Sequence, residues 1–133
     1  MILDTSFLID LMNGEEEAIE KVEELEEQGE NQSTTSVTLF ELWSGIQQSN
    51  LPEQERQKVM EVVGDRVVHA LDSEAGKNAG RIDGKLVKEG KTVDPEDSMI
   101  AAIALESDET VLTGNQEHFE RISEITDLEL EKY

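Results

Sequence analysis

Met1-Ile2-Leu3-Asp4-Thr5-Ser6-Phe7-Leu8-Ile9-Asp10-Leu11-Met12 opens the chain, and its reading decides the architecture. Met1 to Leu3 is a short apolar strand that ends at Asp4. Thr5 to Met12 has helical character, with Thr5 or Ser6 placed to cap the helix and Asn13-Gly14 placed to stop it. A strand that passes into a helix through one acidic residue is a characteristic step of an open α/β sheet. Ligands of such sheets bind outside the carboxyl ends of the strands.

The same alternation runs along the rest of the chain. Glu15 to Gln28 carries Ile19, Val22 and Leu25 at helical spacing, with glutamates on the other face. Gln32 to Thr35 is a polar, Thr-rich short strand. Val37 to Ser49 is a helix with Phe40, Trp43 and Ile46 three apart, and Pro52 opens another that runs to about Val63. Arg66 to Leu71 is a β-branched strand. Asp72 caps a long helix to Glu89, with Ala75, Ala79, Ile82 and Leu86 turned inward. Asp94-Pro95 opens a helix over Asp97 to Glu106, Thr110 to Thr113 is a strand, His118 to Ile122 is a helical turn, and Asp127 to Leu130 is a last strand. Strands alternating with helices predict an α/β fold with a mostly parallel sheet covered by helices.

The chain has 133 residues, with 11 Lys and Arg against 32 Asp and Glu, for a net charge of −21. That length suits a single domain over residues 1–133. Leu, Ile, Val and Phe make up about a quarter of the chain, above the roughly 20% below which high charge signals disorder. No apolar stretch approaches the ~18 residues of a membrane span. Met1-Ile2-Leu3 lacks the basic start of a signal peptide, so a cytoplasmic location is expected. With no cysteine, disulfides, zinc–thiolate sites and cysteine nucleophiles are excluded. The acid is spread along the chain, not gathered in one tail. It suits a cytoplasm of molar salt, where a Debye length of ~3 Å screens the self-repulsion.

Most of the 32 acids must be solvent decoration, so the informative ones stand where decoration is unexpected. Asp4 follows a strand directly, where either a helix cap or a ligand-binding carboxylate fits. Glu41 sits between Phe40 and Leu42 in an apolar stretch. Thr38-x-x-Glu41 fits a capping box as well as it fits a catalytic role. Asp97 follows Asp94-Pro95-Glu96. Asp94 is the natural cap and Pro95 the natural first residue, which leaves Asp97 free to point along a seam made close by Ala101 and Ala104. Thr113-Gly114-Asn115 follows a strand as well, either as an ordinary turn or as part of a site. Together these signals place Asp4, Glu41, Asp97 and Asn115 at one sheet edge. Converging carboxylates repel unless a cation joins them, and Mg²⁺ favours carboxylate and water oxygens. The expected chemistry is metal-assisted phosphodiester hydrolysis.

Four segments in order resemble the PIN-domain family, and within it the VapC-type toxins of toxin–antitoxin pairs. They are Met1-Ile-Leu-Asp4-Thr-Ser-Phe-Leu-Ile9, Thr38-Leu-Phe-Glu41-Leu-Trp-Ser-Gly45-Ile46, Asp97-Ser-Met-Ile-Ala-Ala-Ile-Ala104, and Val111-Leu-Thr113-Gly-Asn115-Gln-Glu-His118-Phe119-Glu-Arg-Ile122. The resemblance implies a PIN-like three-layer sandwich, usually dimeric, with Mg²⁺- or Mn²⁺-dependent endoribonuclease activity that leaves a 5′-phosphate and a 3′-hydroxyl. By position Asp4, Glu41 and Asp97 would hold the metal, while Ser6 and Thr113 would orient acids or water. The family's fourth acid is replaced by Asn115, which can offer an oxygen but no charge, and the position before Phe119 is His118. A small antitoxin protein would restrain the enzyme by blocking the acidic pocket.

One face runs against the overall charge. Lys77, Arg81, Lys85 and Lys88 are spaced to share one side of the long helix, and Lys91 follows. Five of the eleven bases fall in this segment, against Asp83 and Glu89. Either neighbouring glutamates neutralise the face, or it contacts an RNA backbone, with Lys77, Arg81 and Lys85 as the candidates. Phe40 and Trp43 are expected in the core or a dimer interface in preference to base stacking, His69 in a structural role, and His118 in an exposed polar role in preference to assisting a leaving group. Two other functions fit the same residues: a housekeeping RNA-processing nuclease, and a catalytically weak PIN binding module.

Overall fold

A computed structural model of the chain describes all 133 residues. In chain order the elements are β1 (Ile2–Leu3), α1 (Thr5–Met12), α2 (Glu16–Glu27), β2 (Ser33–Thr35), α3 (Ser36–Gln48) and α4 (Pro52–Val63). They continue with β3 (Val67–His69), α5 (Ser73–Lys88), α6 (Pro95–Glu106), β4 (Val111–Leu112), α7 (Gln116–Ser123) and β5 (Leu130–Glu131). The strands form one sheet in the order β3-β2-β1-β4-β5, and every pairing is parallel. No helix is long and apolar enough to cross a membrane.

Alternation along the short central strands sorts the core into two layers. Ile2 and Val111 face a cluster built with α5, α6 and α7, including Ala75, Ile82, Leu86, Ile100, Ile103 and Phe119. Leu3 and Leu112 face the opposite cluster, with Phe7, Leu8, Leu25, Leu42, Ile46 and Val59. The result is the expected three-layer sandwich. Helix α6 is buried from Ile100 to Ala104, so it reads as apolar all round in the manner of an interior helix. Its alanines let it lie close against α5 and the sheet.

Several boundaries differ from the sequence reading, each for a local reason. Thr5 and Ser6 do not cap α1. Asp4 does, accepting from Phe7 N at 2.9 Å. Thr38 does not start a capping box: the cap of α3 is Thr35, whose Oγ1 accepts from Thr38 N at 3.1 Å. Strand β3 shrinks to Val67–His69 because it is an edge strand paired on one side only, and it leaves Val67 63% exposed. Helix α6 begins at Pro95, α7 at Gln116, and β5 shifts to Leu130–Glu131. Phe40 and Trp43 are exposed, which removes the core reading for both. The three-residue spacing put them beside Ile46, but only Ile46 turns inward.

Candidate functional site

The strand order creates the site. From β1 the chain moves to β2 and β3 on one side, and β4 and β5 lie on the other. The switch point therefore lies at the carboxyl ends of neighbouring β1 and β4, the place where open α/β sheets bind ligands. Asp4 directly follows β1 and Thr113 directly follows β4.

Asp4 is buried and its oxygens are held from three directions. Phe7 N donates to Oδ1, the Ser6 hydroxyl donates at 2.8 Å, and the Thr113 hydroxyl donates to Oδ2. The two hydroxyls also receive bonds from the β4 turn: Gly114 N donates to Ser6 Oγ at 3.0 Å, and Asn115 N donates to Thr113 Oγ1 at 2.8 Å. Ser6 and Thr113 thus stitch the two strand ends together around one carboxylate. Burial pushes the Asp4 carboxyl up to about 6, against the pull of its hydrogen-bond donors.

Glu41 is half-buried on α3. Its Oε1 accepts from the Thr5 hydroxyl at 2.7 Å. Thr5 in turn lies 3.1 Å from the Thr38 hydroxyl, which is 3.2 Å from Thr35. This row of buried hydroxyls explains the polar character of β2 and the start of α3. Its members were not singled out in the sequence as site residues, although the run Ser33-Thr34-Thr35-Ser36-Val37-Thr38 is unusually polar for a segment whose threonines are all buried. Burial also raises the Glu41 carboxyl, and Glu96, Asp4 and Asp94 raise it further.

Asp97 stands in the first turn of α6 and is 9% exposed. Its Oδ2 accepts from Asn115 Nδ2 at 3.1 Å and lies 2.8 Å from His118 Nδ1. Burial pushes it up to about 6, opposed by His118. His118 is therefore not the exposed polar residue expected from sequence. It stands in the first turn of α7, three residues after the N-cap Asn115, and that spacing turns both side chains toward α6.

The three acids feel one another: the charge of Asp97 acts on Asp4, that of Asp4 on Glu41, and that of Glu41 on Asp97. None of the ion pairs made by a lysine or arginine involves Asp4, Glu41 or Asp97. Buried and half-buried carboxylates held by hydrogen bonds, with His118 beside Asp97 as their one basic neighbour and no lysine or arginine, fit a hard divalent cation.

The basic candidates lie elsewhere, on the exposed side of α5. Only Lys77 is neutralised by a glutamate there, Glu74 at 3.2 Å, while Arg81 donates to the Asn78 amide at 2.6 Å. Lys85 has no acidic partner. His69 is half-buried on the edge strand β3.

Comparison with known proteins agrees with this architecture. Residues 1–125 match the PIN domain family. Ribonuclease VapC19 of Mycobacterium tuberculosis is 30% identical over 122 residues, covering 89% of this chain and 90% of that protein. The tRNA(fMet)-specific endonuclease VapC of Shigella flexneri is 34% identical over 88 residues, covering 66% of this chain and 67% of that one. Among solved structures, DNA-bound VapBC from Salmonella typhimurium superposes with a TM-score of 0.82 at 29% identity, covering 98% of this chain and 96% of that one. VapBC2 of Rickettsia felis, bound to a promoter DNA fragment, shares the fold with a TM-score of 0.87 at 22% identity, over 99% of this chain and 97% of that one. With a family match over nearly its whole length and an acidic cluster at the sheet's switch point, this chain belongs to the PIN-domain family.

Proposed function

We propose that this chain is a VapC-type ribonuclease toxin, an endoribonuclease that hydrolyses RNA phosphodiester bonds in the cleft formed by Asp4, Glu41 and Asp97. The observation that carries this reading is that Asp4 at the end of β1, Glu41 on α3 and Asp97 on α6 act on one another's charge while no lysine or arginine pairs with any of them. Asp4, Glu41 and Asp97 would hold Mg²⁺ or Mn²⁺, with the Asn115 amide beside them. Such an ion supplies Lewis acidity, lowering the pKa of a water and offsetting charge on a phosphoryl oxygen. The chain's own residues do the positioning. Ser6 and Thr113 fix the rotamer of Asp4, Thr5 fixes Glu41, and Asn115 with His118 fixes Asp97. Side chains locked in this way keep the acids together despite their repulsion, so little reorganisation is needed when substrate arrives.

The partners follow from the same reading. VapC and VapBC relatives support a small antitoxin that silences the enzyme. Phe40 and Trp43, exposed three residues apart on α3, support a second copy of the chain as their cover. Arg81 and Lys85, with Lys77, support an electrostatic track for the RNA backbone on α5. The charge of −21 supports a high-salt cytoplasm as the working environment.

The test is cleavage of a structured RNA in molar KCl, with and without Mg²⁺, by wild type and Asp97→Asn. Loss of a transition-state contact of this kind costs about 10²–10³ in rate. Cleavage that survives chelation, or an Asp97→Asn variant with wild-type rate, overturns the proposal.

A further inference from the structure

Three polar atoms from three side chains meet beside Asp97 in a triangle. Asp97 Oδ2 lies 2.8 Å from His118 Nδ1 and 3.1 Å from Asn115 Nδ2, and the two nitrogens lie 3.0 Å from each other. Hydrogen bonding accounts for two edges, since both nitrogens can donate to Oδ2. It leaves the third unexplained in either tautomer: with a proton on Nδ1 two donor nitrogens face each other, and with Nδ1 bare it accepts from the Asn115 amide but then faces the Asp97 carboxylate oxygen as a second acceptor. Coordination accounts for all three. Adjacent ligands of an octahedral ion with bonds of about 2.1 Å stand about 3.0 Å apart, so the triangle has the size of one octahedral face. A half-turn of the Asn115 amide puts its oxygen where the nitrogen now lies, and the two atoms are nearly isosteric. Asp94 Oδ2 is 3.9 Å from the same His118 nitrogen, and Asp94, Asp97 and His118 each bring a ligand atom within 4.8 Å of the others.

We infer that His118 is a metal ligand through Nδ1, sharing an ion with Asp97 and Asn115, and that it turns the site toward a transition metal such as Mn²⁺ in preference to Mg²⁺. Imidazole nitrogen suits first-row transition ions, whereas Mg²⁺ holds to oxygen. His118 is partly open to solvent, with 24% of its side chain exposed, so the Nε2–H of the metal-bound neutral ring can reach water. The inference rests on reading the acidic cleft as a cation site, and it adds a nitrogen donor to that cleft.

The experiment uses the full chain and Mn²⁺ alone, without RNA. Bound Mn²⁺ is counted by continuous-wave electron paramagnetic resonance, and its nitrogen neighbours are read by pulsed methods. Circular dichroism checks that His118→Gln and Asp97→Asn are folded. Wild type is expected to show ¹⁴N coupling of a directly bound imidazole. His118→Gln is expected to lose that coupling and about tenfold in Mn²⁺ affinity, with the affinity for Mg²⁺ changed by less than about twofold. Mn²⁺ that binds wild type without ¹⁴N coupling, yet is lost in Asp97→Asn, overturns the role of His118 and leaves the acidic site standing. Mn²⁺ binding indifferent to Asp97→Asn overturns the acidic site and the inference with it.

Discussion

Replacing Asp4 by asparagine deletes one charge from the cleft while keeping the shape and most of the hydrogen bonds. The asparagine oxygen can still accept from Phe7 N, and the Ser6 and Thr113 hydroxyls can turn to accept from the new amide. The charge itself is costly in the metal-free fold, because burial moves the carboxyl from 3.8 to about 6. At 1.36 kcal/mol for each pH unit, the ceiling is about 3 kcal/mol at neutral pH. Between the two values the folded state holds a proton that the unfolded chain has released. The contribution of Asp4 to stability therefore falls as pH rises through this window and is fully lost above about 6. Metal-free Asp4→Asn is thus expected to be more stable than wild type by about 1–3 kcal/mol near pH 7.5. That advantage should vanish below about pH 4. Urea unfolding in molar KCl with a chelator, run on both proteins across this range, measures the difference. A variant that is less stable at neutral pH, or an advantage that does not change with pH, refutes the account of Asp4 as a buried carboxylate awaiting a cation.

Other outcomes follow from particular contacts. Mg²⁺ or Mn²⁺ should raise the melting temperature of wild type, by the equivalent of about 2.7 kcal/mol at a hundredfold excess over Kd, and should do so much less in Asp97→Asn. The triple variant Lys77→Gln, Arg81→Gln, Lys85→Gln should bind single-stranded RNA with a log–log salt slope shallower by about 2, and an unchanged slope removes α5 as an RNA track. A Cβ at Gly114 would stand 2.5 Å from the Tyr133 hydroxyl. Gly114→Ala should therefore destabilise by about 1–3 kcal/mol, and Tyr133→Phe added to it should recover part of the loss, as urea unfolding will show. Finally, the urea midpoint should rise steadily with KCl as the charge of −21 is screened. A midpoint independent of salt ends the high-salt reading.

The contrast between Asp97 and His118 shows where sequence reasoning carries and where it stops. Asp97 was legible because Asp94 and Pro95, just before it, fill the cap and first helical positions and because alanines mark a tight seam. Both are local signals within one helix. His118 carried no such signal. Its placement depends on α7 meeting the first turn of α6 across 21 residues of chain, and nothing in its own neighbours records that meeting. Thr5 and Thr38 were misread as caps for a related reason. Threonine caps well, and only the packing of α1 against α3 turns its hydroxyls toward Glu41 and each other.

From sequence alone came the alternation of strand and helix, the buried face of α5, the excess of acid and the residues able to bind a cation. Each of these is written in periodicity and residue chemistry over a few turns of chain. Only the tertiary structure decided that β1 lies beside β4, and hence that Asp4 and Thr113, 109 positions apart, share a hydrogen bond. Strand order is set by which distant segments bury the most surface together, at an entropy cost that grows only slowly with the length of the loop they close, so no local stretch of residues encodes it.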